Sequence, residues 1–215
     1  QKSVAVAGAI STKSGSALAL AASYTHIDTD NVVRSAIENL NAEDLTNVDL
    51  AASDATEYSQ IAGAVAINVS GTAGFGGASS SGVFENRIES SLMNVDFGIA
   101  GGTGDSISLA ASDYTTNSQL SLAAAAGQTV GISGSVNNLI IGNDSGAGVL
   151  TSIENSTIVG FDTLSLSAED QMQGGGVKET SFITGGIAIG GKAGIGASVS
   201  VYDANKSIKS LISGS

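Results

Sequence analysis

The feature that most constrains this 215-residue chain is a short motif that recurs at a nearly fixed interval. Its copies occupy residues 48–54, 107–113 and 164–170, and each alternates apolar with polar or small residues before ending in Asp. The central residues Leu50, Leu109 and Leu166 are 59 and 57 positions apart. Alternation with period two predicts a β-strand with one buried face. Repetition at a fixed period predicts a stack of similar units.

A second apolar block follows the motif. Ile61–Ile67 is matched by Leu120–Leu122 and by Ile183–Ile189, and residues 4–10 form a truncated further copy. Three to four copies of the repeat are therefore present. Because the chain begins and ends within a repeat, we expect it to be a fragment of a longer protein.

The repeats differ in the length of the segments between their motifs. Ile37-Glu-Asn39 and Ile153-Glu-Asn155 each begin 13 residues before the central Leu. The equivalent stretch of the middle copy is three residues longer, with the surplus near residues 101–104. The third copy carries about six extra residues around 173–176, which we interpret as a loop insertion.

The composition selects among the repeat architectures. The chain has 29 Gly, no Pro and only 4% aromatic residues, although 42% of its residues are hydrophobic. Gly-rich sequence with period two disfavours helical repeats, and the aromatic signatures of propeller blades are missing. We therefore predict an all-β fold, a parallel β-solenoid that runs through residues 1–215 with Leu50, Leu109 and Leu166 stacked inside. A repeat of this length could form one wide coil or about three small ones.

The charge balance excludes several partners. Twenty acidic residues against eight basic ones give a net charge of −12, so the chain should repel nucleic acid. The stretch 58–84 has no charged residue, but its many Gly, Ser and Thr residues argue against a membrane span. The chain contains no Cys, which excludes disulfides and thiol chemistry.

Candidate catalytic residues are few. His26 is the only histidine, so a nucleophilic triad or a His/Cys metal site has almost nothing to draw on, and we expect His26 to point to solvent. Paired carboxylates for glycoside cleavage are conceivable in a β-solenoid. However, Asp54, Asp113 and Asp170 recur at equivalent positions, which indicates a structural corner. We predict no enzyme activity and no catalytic, cofactor-binding or metal-binding residues.

Calcium is the one ion for which oxygen ligands are clustered. Asp28-Thr-Asp30-Asn31 and Asn143-Asp144 bring such ligands close together, and residues 101–107 approach a Ca²⁺-binding nonapeptide with one residue missing before Asp105. Solvated acids in turns explain these residues better than a site, because the nonapeptide match is single and imperfect. Structural calcium is left open as an addition to a fold that does not require it.

The residues 62–69, the Gly-rich stretch 74–78 and Ile88 together resemble a known family. They are similar to repeats of giant filamentous bacterial adhesins, of the filamentous-haemagglutinin type and the fusobacterial leukotoxin type. The resemblance covers nearly the whole chain. It implies a β-helical rod outside the cell, at the bacterial surface, that meets a host or neighbouring cell through other parts of the full chain. It transfers no catalytic residues.

Two hypotheses about function follow. The first is a non-catalytic structural stalk within a secreted surface adhesin. The second is a filament or sheath subunit that associates end to end through free strand edges. Fibre formation at low protein concentration would favour the second.

Overall fold

Each repeat forms one wide coil of a parallel β-solenoid. The computed structural model describes residues 1–12, 15–43, 45–98, 104–142, 147–170 and 181–214. Three complete coils contain β1–β5, β6–β10 and β11–β15, and a further partial coil contains β16–β18. The strands are β1 (Lys2–Ser11), β2 (Gly15–Thr29), β3 (Val32–Glu38), β4 (Asn41–Glu43), β5 (Asn47–Asp54), β6 (Glu57–Asn68), β7 (Gly71–Phe84), β8 (Arg87–Met93), β9 (Asp96–Gly98), β10 (Gly104–Asp113), β11 (Thr116–Gly127), β12 (Val130–Ile141), β13 (Gly148–Glu154), β14 (Thr157–Val159), β15 (Phe161–Asp170), β16 (Ser181–Gly190), β17 (Ala193–Ala204) and β18 (Ser207–Ser213).

Five parallel sheets run along the solenoid. Sheet A has the order β1-β6-β11-β16, sheet B β2-β7-β12-β17 and sheet C β3-β8-β13-β18. Sheet D has the order β4-β9-β14 and sheet E β5-β10-β15. Neighbouring strands in every sheet come from consecutive repeats, so the sequence prediction of a parallel β-solenoid is confirmed. The coil is the wide one, with a whole repeat in each turn.

The register of the sheets reproduces the sequence repeat. Leu109 pairs with both Leu50 and Leu166, and the block at Ile61 pairs with the blocks at Val4 and Leu120. One length differs from the sequence expectation. Ile37 pairs with Leu92, so the stretch from this position to the central Leu is four residues longer in the middle repeat than in the first. The sequence spacing had suggested three extra residues. The surplus lies between Gly98 and Ser106, a stretch that includes residues outside those described, as does the predicted insertion near 173–176.

Asparagine forms the corner after β3, β8 and β13 of sheet C, and Gly214 takes the equivalent place after β18. Asn39, Asn94 and Asn155 have φ values of 55°, 52° and 49°, in the left-handed region that Asn tolerates better than most residues. The Asn94 side-chain amide donates a hydrogen bond to Asn39 Oδ1 at 3.1 Å. A short polar side chain therefore makes the sharp turn and ties one coil to the next.

Sheets C, D and E enclose one cluster of large apolar side chains, and a second cluster that includes Tyr58 and Phe84 lies between one end of sheets A and B. Leu50 and Leu109 lie in one cluster with Leu92, Phe97 and Ile153, and Leu109 has no exposed surface. Leu166, in the last strand of sheet E, is partly buried against the same cluster. The predicted stack of inward leucines is confirmed.

Over residues 62–66 and 73–78, sheets A and B pack directly against each other through small side chains. Ala62, Ala64 and Ala66 of β6 are buried, whereas Ile61 and Val65 on the same strand face outwards. The facing strand β7 explains why the alanines of β6, and not the larger residues, point inwards. A Cβ on its Gly74 or Gly76 would collide with the backbone carbonyl oxygens of Ala126 and Ala124. The two sheets are therefore closer than the roughly 10 Å that larger interior side chains require.

Two adjacent glycines of β7 provide a test of this close packing. We expect Gly76→Ala to lower the free energy of unfolding by about 1–3 kcal/mol, because the new methyl group would force the sheets apart. Gly77 faces outwards with open space around it, so Gly77→Ala should be neutral or stabilising by up to about 1 kcal/mol. Urea unfolding of both variants measures the difference. Equal stabilities would show that the sheets separate without strain.

Candidate functional site

The three recurring aspartates form a ladder, fully buried at Asp113 and partly buried at Asp54 and Asp170, where sheet E ends and sheet A begins. Asp113 pairs in register with Asp54 and Asp170, which places the three residues one above another. Asp113 has no exposed surface. Carboxylates stacked about 4.8 Å apart repel one another and lose their hydration, so they need partners within the protein.

Hydrogen bonds from neighbouring turns satisfy the first two aspartates. Thr56 Oγ1 donates to Asp54 Oδ1 at 2.6 Å, and the Asn86 amide donates to Asp54 Oδ2 at 3.1 Å. The backbone N–H of Thr115 donates to Asp113 Oδ1 at 2.9 Å. In both coils a residue two positions after the Asp closes the turn, which is a local reason for Asp at this corner.

Lys206 supplies the positive charge. Its ammonium donates a hydrogen bond to Asp113 Oδ2 and lies 3.2 Å from Asp170 Oδ2. Lys206 follows sheet B in the last described coil, and the equivalent position one coil earlier is Ala147. Because alanine is short, the lysine can extend past that coil to Asp113. One cation thus serves two stacked carboxylates.

This ladder has the structure of a corner and not the structure of a cleft. Acid/base catalysis requires a carboxylate within hydrogen-bond reach of a substrate. Asp113 is fully enclosed and both of its oxygens are occupied. The geometry supports the structural interpretation of the recurring aspartates.

A second ionic cluster lies on sheet C. The Glu89 carboxylate, 6% exposed, accepts hydrogen bonds from Arg34 Nε at 3.2 Å and from Arg87 at 3.0 Å. Arg34 also donates to Glu38. The hydrogen bond to Glu38 is the largest cause of the raised pKa of the Arg34 guanidinium, and Glu89 also raises it, so Arg34 stays charged. Sequence reasoning gave no role to these arginines, since pairing across sheet C had to be known first.

His26 and its acidic neighbours lie at the exposed edge of the first coil. His26 points to solvent from β2, as expected, and its ring stacks on Tyr24 with 6.1 Å between ring centroids. Asp28 and Asp30 are exposed, whereas Asn31 donates a hydrogen bond to the Tyr58 hydroxyl at 3.2 Å. Among the described residues, no group of three or more His, Cys, Asp or Glu could hold a metal ion. The candidates at 101–103 and 143–144 lie outside the described residues.

A wide apolar surface lies on the outer side of sheet A. We call it the sheet A face. Even in the two middle coils, where neighbours cover both edges, Val65 is 44% and Leu122 46% exposed. A shallow groove of 290 Å³ crosses its centre. The sixteen side-chain positions of this face are Val4, Val6, Gly8, Ile10, Ile61, Gly63, Val65, Ile67, Leu120, Leu122, Ala124, Ala126, Ile183, Gly185, Ile187 and Ile189.

The outer side of sheet B is less uniform. Leu20, Phe75 and Ile132 form one apolar row there. Rows further along the same strands carry His26 and Asp28. The sheet A face therefore differs from the outer side of sheet B, because none of its sixteen neighbouring positions carries a polar side chain.

Comparison with known proteins identifies no relative of this chain. No protein-family model matches it, and no curated protein or solved structure matches it either. In the part of the chain that the structure describes, no helix is long and apolar enough to cross a membrane.

Proposed function

We propose that this chain is a non-catalytic stalk segment of a secreted bacterial surface adhesin. The observation that supports this proposal is the continuous register of the repeats: strands of successive coils pair in parallel in all five sheets. A structure that repeats along one axis in this way gives a rod that lengthens by adding units. The resemblance to filamentous adhesin repeats supplies the extracellular setting.

The recurring residues support a structural role. The leucines fill the core of each coil, the asparagines turn the corners, and the aspartates form the ladder. Each coil also packs its alanines into the narrow space between sheets A and B. The chemistry that the repeat maintains is therefore the chemistry of stacking one coil on the next.

A filament or sheath subunit is the second candidate. Residues 4–10 of β1 and 183–189 of β16 both pair with the central strands through the same apolar pattern. Stacking the last coil of one molecule on the first coil of another would continue these rows. This assembly would be axial and open-ended, so it would produce fibres.

Immobilised protein tests the stalk proposal. Beads coated with the 215-residue chain should bind no host-cell or bacterial surface, and the chain should hydrolyse no polysaccharide, whereas beads that carry a fused binding domain of known specificity should bind its target. Electron microscopy of the free chain should show no fibres. Specific cell binding by the chain alone, or turnover that Asp28→Asn abolishes without unfolding, would contradict the proposal. Long fibres at low concentration would favour the subunit.

A further inference from the structure

The two middle rows of the sheet A face alternate large and small residues in both directions. Row 2 runs across the coils as Val6, Gly63, Leu122 and Gly185. Row 3 runs beside it as Gly8, Val65, Ala124 and Ile187. Every coil therefore has one large side chain and one Gly or Ala in these rows, and the larger member changes row from each coil to the next.

This pattern is self-complementary under a simple operation. Consider a second copy that is related to the first by a two-fold axis, parallel to the solenoid axis and lying above the line between rows 2 and 3. This rotation places row 2 of one copy opposite row 3 of the other. Each coil then faces the same coil of the second copy. Leu122 of one copy then faces Ala124 of the other, and Val65 faces Gly63. Every large side chain in the two rows meets a small one, so two copies interlock along the groove.

We propose that the sheet A face binds a second copy of this chain, with the two solenoids side by side and parallel. The partner is the same face of an identical molecule. The inference does not depend on the adhesin proposal, because it is derived from this face alone.

Charge supports a partner of the same kind. The molecule carries a net charge of −12, which opposes association through most of its surface. Within the sheet A face the side chains are Val, Ile, Leu, Ala and Gly. Lys2 and Ser59 occupy the row beside it, which gives the patch a polar rim. This face thus allows two acidic molecules to come together without placing like charges in the contact.

The area is close to that of a specific interface. Four strands about 4.8 Å apart and seven residues at about 3.3 Å each give a patch of roughly 440 Å² per copy. Two copies bury roughly 900 Å², near the lower bound of about 1,000 Å² for stable association. Each further coil would add roughly 200 Å² to the pair. We therefore expect weak pairing of this four-coil chain and tighter pairing of longer ones.

Sedimentation analysis of the whole chain over a range of concentrations tests the proposal. The wild type should show a monomer–dimer equilibrium, and Val65→Lys should shift it to monomer while leaving the circular dichroism spectrum unchanged. Val136→Lys is the matched control on the outer side of sheet B, since Val136 is 41% exposed and Val65 44%. It should leave the dimer intact. Dissociation by Val136→Lys and not by Val65→Lys would overturn the assignment to sheet A.

Gly63→Leu distinguishes the proposed packing of large against small side chains from nonspecific hydrophobic association. A Cβ at Gly63 makes only ordinary contacts with Val6 at 3.8 Å, so the monomer accepts it. The variant is more apolar, so nonspecific hydrophobic association would be stronger. The proposed packing places the new side chain against Val65 of the second copy, so the dissociation constant should rise about tenfold or more. Tighter association of Gly63→Leu would overturn the proposal. So would a wild type that stays monomeric or instead floats with phosphatidylcholine vesicles.

Discussion

Leu109→Asp should unfold the coils on both sides of it. Leu109 has no exposed surface and lies between Leu50 and Leu166 in sheet E. Removing a buried leucine side chain alone typically lowers stability by about 2–5 kcal/mol. The new carboxylate would also lose its hydration without gaining a cation, which adds several kcal/mol. We expect a loss of cooperative thermal unfolding by circular dichroism, together with rapid proteolysis.

Ala110→Asp is the matched control for this variant. Ala110 is the next residue of β10, points to the opposite side of the sheet and is partly exposed. The same charge there should change stability by no more than about 0.5 kcal/mol. If Leu109→Asp retained the melting temperature of the wild type, the inward orientation of the leucine stack would be wrong.

Lys206→Met should produce the second largest loss of stability. It removes the ammonium that lies against Asp113 and Asp170 while keeping most of the apolar length of the side chain. A buried pair that loses one partner typically costs about 3–5 kcal/mol, because the remaining charge is neither hydrated nor compensated. Urea unfolding should show this decrease in the free energy of unfolding.

Two further variants show whether the aspartate ladder is the cause. Lys209→Met removes an exposed lysine three residues away on β18 and should change stability by no more than about 0.5 kcal/mol. Asp113→Asn in the Lys206→Met background removes the buried charge and should recover part of the loss. If the double variant were as unstable as Lys206→Met, the missing contact would not be the ion pair with Asp113.

The sequence was sufficient to predict the repeat, the register of sheets A and E and the inward leucines, but not the register of sheet C in the middle repeat. In residues 107–113 the large apolar side chains alternate with Ser, so only one face can be buried. Residues 61–67 gave no such guidance, because Ile61, Val65 and Ile67 alternate with alanines and glycine and both faces are apolar. The close approach of sheet B decides between the faces, and that approach depends on Gly74 and Gly76 in a different strand.

The partners of the buried carboxylates were also beyond reach of the sequence. Recurrence marked Asp113 as a corner residue, but its cation is Lys206, 93 positions later in the chain. Lys206 does not recur, because the equivalent position one coil earlier is Ala147. A repeat pattern predicts only the contacts that all coils share, whereas this contact requires the short side chain of Ala147 in one particular coil.

Because each coil is wide, the number of repeats has little effect on the length of the solenoid and a large effect on the width of the sheet A face. One added repeat of 57 residues would raise the solenoid by only about 4.8 Å, whereas the same residues in a single α-helix would span about 86 Å. The same repeat would widen the sheet A face by a full strand. If two copies pair as proposed, gaining or losing a repeat would therefore hardly change the length of the solenoid, but it would change the area that the two copies bury against each other.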